Sequence, residues 1–95
     1  MKQPCVYILA SKPHGTLYIG VTSNIVARVC QHKADLVTGF SQRYSVHRLV
    51  YIELHQEMYA AITREKQLKR WKRERKIRLI EEKNPQWQDL YPELF

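Results

Sequence analysis

The chain has 95 residues, 44% of them hydrophobic and 26% charged, with a formal net charge of +7; this is the size and composition of one small globular domain, and it excludes a multidomain machine or a disordered chain. No apolar run approaches the roughly 20 residues of a membrane helix, no basic-then-apolar leader opens the chain, and Cys5 and Cys30 form no CxxC pair. These features predict a single domain over residues 1–95, cytoplasmic, with two reduced thiols that are buried or half-buried.

In chain order, Cys5-Val6-Tyr7-Ile8-Leu9 and Leu17-Tyr18-Ile19-Gly20-Val21 are rich in β-branched and aromatic residues, and Ser11-Lys12-Pro13-His14-Gly15 between them has turn composition. This predicts an antiparallel hairpin. Tyr7 and Tyr18 are 11 apart, so a symmetric loop would set them directly opposite on one face. Thr22-Ser23-Asn24 predicts an N-cap for a helix from Ile25 to about Ala34, with Val26, Val29 and Cys30 inward and Arg28 and His32 sharing a face. Residues 37–45 read as loop and Arg48–Leu54 as a third strand. Met58, Ala61, Ile62 and Leu68 then recur at helical spacing with Trp71 at the edge of their stripe, more plausibly core than a base-stacking platform. The register decays around Arg73-Glu74-Arg75, which predicts a break and a new helix carrying Ile77, Leu79 and Ile80. Asn84-Pro85 ends it, and the apolar tail 87–95 is expected to pack back on the domain. The order read from the residues is β-β-α-β-α-α.

The charge excess is local. Residues 64–78 hold nine basic and two acidic side chains, net +7, while the remaining seven basic and seven acidic residues cancel. Such a stripe favours a polyanion partner, nucleic acid above all, over a merely solvated helix face. Glu65 interrupts the stripe expected to face the sheet; a carboxylate there is either an i,i+4 partner of Lys69 or a ligand for a hard cation such as Mg²⁺. Tyr7 and Tyr18 place two phenols side by side, and Arg28 and His32 would add a fixed cation and a titratable imidazole. Cys5, Cys30, His14, His32, His47 and His55 show no paired short spacing of the kind a closed zinc site uses.

Taken together, Cys5-Val6-Tyr7, Tyr18-Ile19-Gly20, Arg28, His32, Glu65 and Asn84 in this order resemble the GIY-YIG nuclease domain over essentially the whole chain. The resemblance is to small stand-alone bacterial members. It implies an α+β fold in which helices flank a three-stranded antiparallel sheet, and a Mg²⁺- or Mn²⁺-dependent endonuclease acting on duplex or branched DNA in repair or recombination. On it, Tyr7 is the general base or water-orienting phenol, Tyr18 lines the same site, Arg28 steadies the phosphate, His32 assists the tyrosine and Glu65 is the metal's carboxylate ligand. Because a free phenol titrates near 10, Tyr7 would need help from nearby positive charge or from His32. DNA phosphates would be gripped by Asn84, Lys66, Lys69, Arg70, Lys72, Arg73, Arg75, Lys76 and Arg78, although helix termination accounts for Asn84 equally well. Cys5 stands where the family pattern has glycine and would narrow the site. Target choice would come from DNA structure or a protein partner. The competing expectations are a non-catalytic nucleic-acid-binding module and an interaction subunit for an acidic protein.

Overall fold

The structure is a computed structural model, and it describes residues 2–36, 39 and 43–95. Its elements are β1 (Cys5–Ala10), β2 (Leu17–Thr22), α1 (Ile25–Lys33), β3 (Arg48–Leu54), α2 (Met58–Arg70), α3 (Arg73–Lys83) and a 3₁₀ turn (Tyr91–Leu94). The strands form one antiparallel sheet in the order β2-β1-β3, so the fold is the α+β arrangement expected. Of the loop expected over 37–45, positions 37, 38 and 40–42 lie outside the described residues.

β1 is the central strand and every one of its residues is buried, which is why it reads as an unbroken apolar run where a half-exposed strand would alternate. Val6, Ile8 and Ala10 face Ile19, Ala61, Leu68, Ile80 and Trp87 under α2 and α3. Tyr7 and Leu9 face Val29 of α1, Val46 and Leu49, with Leu90, Tyr91 and Leu94 of the tail closing that side. The pairing of β1 with β3 slips between Ile8 and Leu9: Ile8 opposes Tyr51 and Leu9 opposes Leu49, leaving Val50 as the extra residue of a bulge.

Four expectations are corrected. Tyr7 pairs with Gly20 and Tyr18 with Leu9, so the two tyrosines are diagonal neighbours; a two-residue slip preserves the face because side chains alternate with period two. Cys30, on α1, is exposed. Ile62 is exposed too, so the buried stripe of α2 narrows to Ala61 and Leu68. The helical break falls at Trp71 and Lys72, both extended, two residues before the expected place. A basic stretch carries no apolar periodicity to locate a kink, and the packing of the Trp71 side chain on the core sets it instead.

Candidate active site

β1 brings Tyr7 to the sheet directly opposite Gly20. A methyl group built on Gly20 would lie 2.4 Å from the Tyr7 hydroxyl oxygen and 2.5 Å from Cζ, so the phenol ring lies across the glycine with no room for any side chain. This is a glycine chosen for close approach, inside a strand it would otherwise weaken. Having crossed β2, the Tyr7 hydroxyl meets Nε2 of His32 at 3.1 Å. Tyr18 completes the cluster, with its ring centroid 5.1 Å from His32 and 6.3 Å from Tyr7.

His32 and Arg28 stand one turn apart on α1. The helix begins where expected, because Asn24 Oδ1 accepts from the Ala27 amide at 3.2 Å. Val29 is fully buried between them and fixes the rotation of the helix, which turns His32 inward to 1% exposure and leaves Arg28 half-buried at the rim. Arg28 donates to Gln31 at 3.2 Å and lies beside the Tyr7 hydroxyl, which in turn raises the affinity of the guanidinium for its proton.

Burial dominates the electrostatics. It pushes the Tyr7 phenol up to about 12, with Arg28 pulling the other way. It lowers His32 to about 4, and the positive charges of Arg28 and His47 act in the same direction. The positive charge expected to help Tyr7 is therefore present, but desolvation outweighs it, an effect that no spacing argument reveals. At neutral pH both partners are uncharged. The Nδ1–H tautomer of His32 accepts the phenolic proton, and the Nε2–H tautomer donates to the phenolic oxygen. Cys5 is fully buried two residues from Tyr7 on the same face, and burial raises its thiol to about 11, so it is inert.

Glu65 lies on α2 with its side chain 14% exposed, and its carboxylate is 3.3 Å from Lys69 Nζ. The i,i+4 pair is thus formed, and it shields a carboxylate that still opens to solvent. Lys69 reaches a concavity of about 210 Å³ that it shares with Leu17, Tyr18 and Ile19 of β2 and with Lys76 of α3. Among the described residues no group of three or more His, Cys, Asp or Glu side chains forms a metal cage.

The basic residues divide by role. Lys66, Lys69, Arg70, Lys72, Arg75 and Arg78 are exposed. Arg73 is exposed as well, but its guanidinium donates to the carbonyls of His14 and Gly15, both at 2.6 Å, and so latches the β1–β2 loop to α3. Lys76 is half-buried, and burial, then Arg73, lower its proton affinity. Trp71 packs on the core, as expected, while Arg75 caps its ring at 3.7 Å. Asn84 departs from its expected place on the nucleic-acid surface. It is buried, donates to the carbonyls of Val50 at 3.2 Å and Gln88 at 2.9 Å, and accepts from the Gln88 amide. Its bond to the Val50 carbonyl ties the end of α3 to β3 at the bulge.

A family model described as the GIY-YIG catalytic domain matches residues 3–78, which include Tyr7, Tyr18, Gly20, Arg28, His32 and Glu65. The chain belongs to the GIY-YIG family. This is a nuclease family, and its domain implies a nucleic-acid substrate. The GIY-YIG chain is 33% identical over 87 residues to the UPF0213 protein SH2523 of Staphylococcus haemolyticus, covering 87% of this chain and all of that one. It is 35% identical over 79 residues to the UPF0213 protein SA0446 of Staphylococcus aureus strain N315, covering 82% of this chain and 94% of the relative. No solved structure matches. No helix among the described residues is long and apolar enough to cross a membrane. Gly20, the residue on which the geometry turns, was missed as a site residue; a glycine inside a strand pattern was the signal for it.

Proposed function

We propose that this GIY-YIG domain is a cytoplasmic, metal-dependent endonuclease that hydrolyses phosphodiester bonds in DNA. The observation that carries the reading is the Tyr7–His32 pair at 3.1 Å, laid over Gly20 with Arg28 at its rim. The phenolic oxygen keeps a lone pair for a water while its own proton faces an imidazole that is neutral at pH 7. As that water attacks phosphorus, its proton passes to Tyr7 and the phenolic proton to His32 Nε2, while the bond from phosphorus to the leaving sugar oxygen breaks and that oxygen takes a proton from solvent water. A phosphate docked on Arg28 cancels the positive charge that helps hold His32 low, so the imidazole becomes a better proton acceptor when substrate is present. Arg28 balances charge on the non-bridging oxygens and Tyr18 lines the site beside them.

The donor set fits a hard cation. Glu65 offers one carboxylate that opens to solvent beside Lys69, and Mg²⁺ or Mn²⁺ commonly binds through one carboxylate, water and substrate phosphate, so Glu65 is the residue that would hold it. When bound, such an ion supplies charge for the phosphoryl oxygens. The exposed Lys66, Lys69, Arg70, Lys72, Arg75 and Arg78 would hold the DNA backbone, with Lys76 and Arg73 contributing field. Structure-selective cutting in repair or recombination, with a protein partner choosing the target, belongs to the same reading.

The test is cleavage of labelled duplex, single-stranded and branched DNA with Mg²⁺ or Mn²⁺, beside Glu65→Ala. Metal-dependent cutting lost in the variant, with DNA binding retained, is the expected result. If both proteins bind and neither cuts, the domain is a binding module, and the Glu65–Lys69 pair is simply part of its surface.

A further inference from the structure

α1 has nine residues, fewer than the roughly 12–15 that hold a helix together unaided. Both of its functional side chains, Arg28 and His32, therefore depend on what fixes its two ends. The N-terminus has the Asn24 cap. Just past the C-terminus, Asp35 Oδ1 meets His47 Nε2 at 2.7 Å, and on the helix itself the tie to the tail comes from Lys33, next in sequence to His32.

The Lys33 ammonium donates to Asp89 Oδ2 at 2.5 Å and to the His47 carbonyl at 3.0 Å, and it lies 5.2 Å over the ring of Tyr91. Asp89 is itself immobilised, because its other oxygen accepts from the backbone amides of Leu49 at 3.2 Å and Tyr91 at 3.0 Å. Leu90 then donates to the Leu49 carbonyl at 2.7 Å, which ties the tail to β3. The 3₁₀ turn that follows packs against α1, and Leu90, Tyr91 and Leu94 cover the Tyr7 side of the core. The family match ends at residue 78, so this strap lies outside it.

We propose that Asp89 is a positioning residue for the Tyr7–His32 pair, acting through Lys33 to hold the C-terminal end of α1 against the sheet. The role in turnover rests on the nuclease reading above; the positioning itself does not. A helix end that drifts by even 1 Å separates the imidazole from the phenol and admits water to both.

The experiment measures the His32 titration by NMR in protein free of DNA and metal, for wild type, Asp89→Asn, Lys33→Met and Lys33→Arg. Asparagine keeps the oxygen that the Leu49 and Tyr91 amides use while removing the charge that faces Lys33. The expected result is a midpoint that rises from about 4 by one unit or more in Asp89→Asn and Lys33→Met, as the imidazole becomes wet, and that returns toward wild type in Lys33→Arg. On the nuclease reading, kcat falls about tenfold in the first two variants with KM changed less than twofold. A lower melting temperature with an unmoved His32 midpoint would overturn the proposal, because the strap would then be structural only. Should Asp89→Asn fail to fold, Lys33→Met decides alone. If the midpoint moves but no variant, nor wild type, cuts DNA, the nuclease reading fails and the positioning stands.

Discussion

The two faces of β1 are equally buried and do opposite work. Val6, Ile8 and Ala10 meet apolar side chains from α2 and α3, where any well-packed hydrocarbon would serve. One residue along, Tyr7 meets His32 over Gly20, and its buried hydroxyl has a single geometry that satisfies it. The first face carries stability and tolerates repacking. The second holds two neutral titratable groups whose protonation is set by burial, and it tolerates almost nothing.

Substitutions should break this contrast in order of severity. Gly20→Ala places a methyl 2.4 Å from the Tyr7 oxygen, so the ring must swing off His32. Cleavage should fall by about a hundred- to ten-thousand-fold, the value of a positioned proton acceptor, and single-turnover kinetics would read it. Ile80→Ala, on the apolar face, should cost about 2–5 kcal/mol in urea unfolding while the rate per folded molecule stays within a factor of two. Equal loss of rate in the two variants would dissolve the distinction between the faces.

Acid sharpens it further. The unfolded chain protonates His32 near 6.5 and the folded protein only near 4, so between these values the unfolded state binds more protons and stability falls as pH falls. The loss should approach about 3 kcal/mol at pH 4, with His32's share level above pH 6.5, and His32→Leu should flatten that slope. The smallest effects belong to the surface. Arg78→Ala should weaken DNA binding by about 1 kcal/mol and reduce the salt slope by about one, whereas Arg73→Ala should also lower the melting temperature by freeing the His14–Gly15 loop.

Much of this was legible in the residues. The β-β-α-β-α-α order, β3 at Arg48–Leu54, the Asn24 cap and the end of α3 before Pro85 follow from local propensity, capping and proline sterics, all of which act within a few residues. The face shared by Tyr7 and Tyr18 and that shared by Arg28 and His32 were legible too, because alternation and helical period assign faces without knowledge of the partner, whereas their joint role came only from the resemblance to the GIY-YIG family. What local pattern could not supply were quantities that depend on chains meeting. The two-residue slip of the hairpin, the bulge at Val50 and the place of the kink at Trp71 arise from packing between elements far apart in sequence.

The sequence by itself determined the order of the strands and α-helices, the shared face of the two tyrosines and the location of the positive charge, since each follows from local pattern along the chain. Tertiary structure alone decided that Gly20 is the floor beneath Tyr7, that burial drives the phenol up and the imidazole down, and that Asn84, Arg73 and Asp89 bind the fold together. The physical reason is that desolvation and close approach belong to pairs of surfaces, and no single stretch of chain contains both members of a pair.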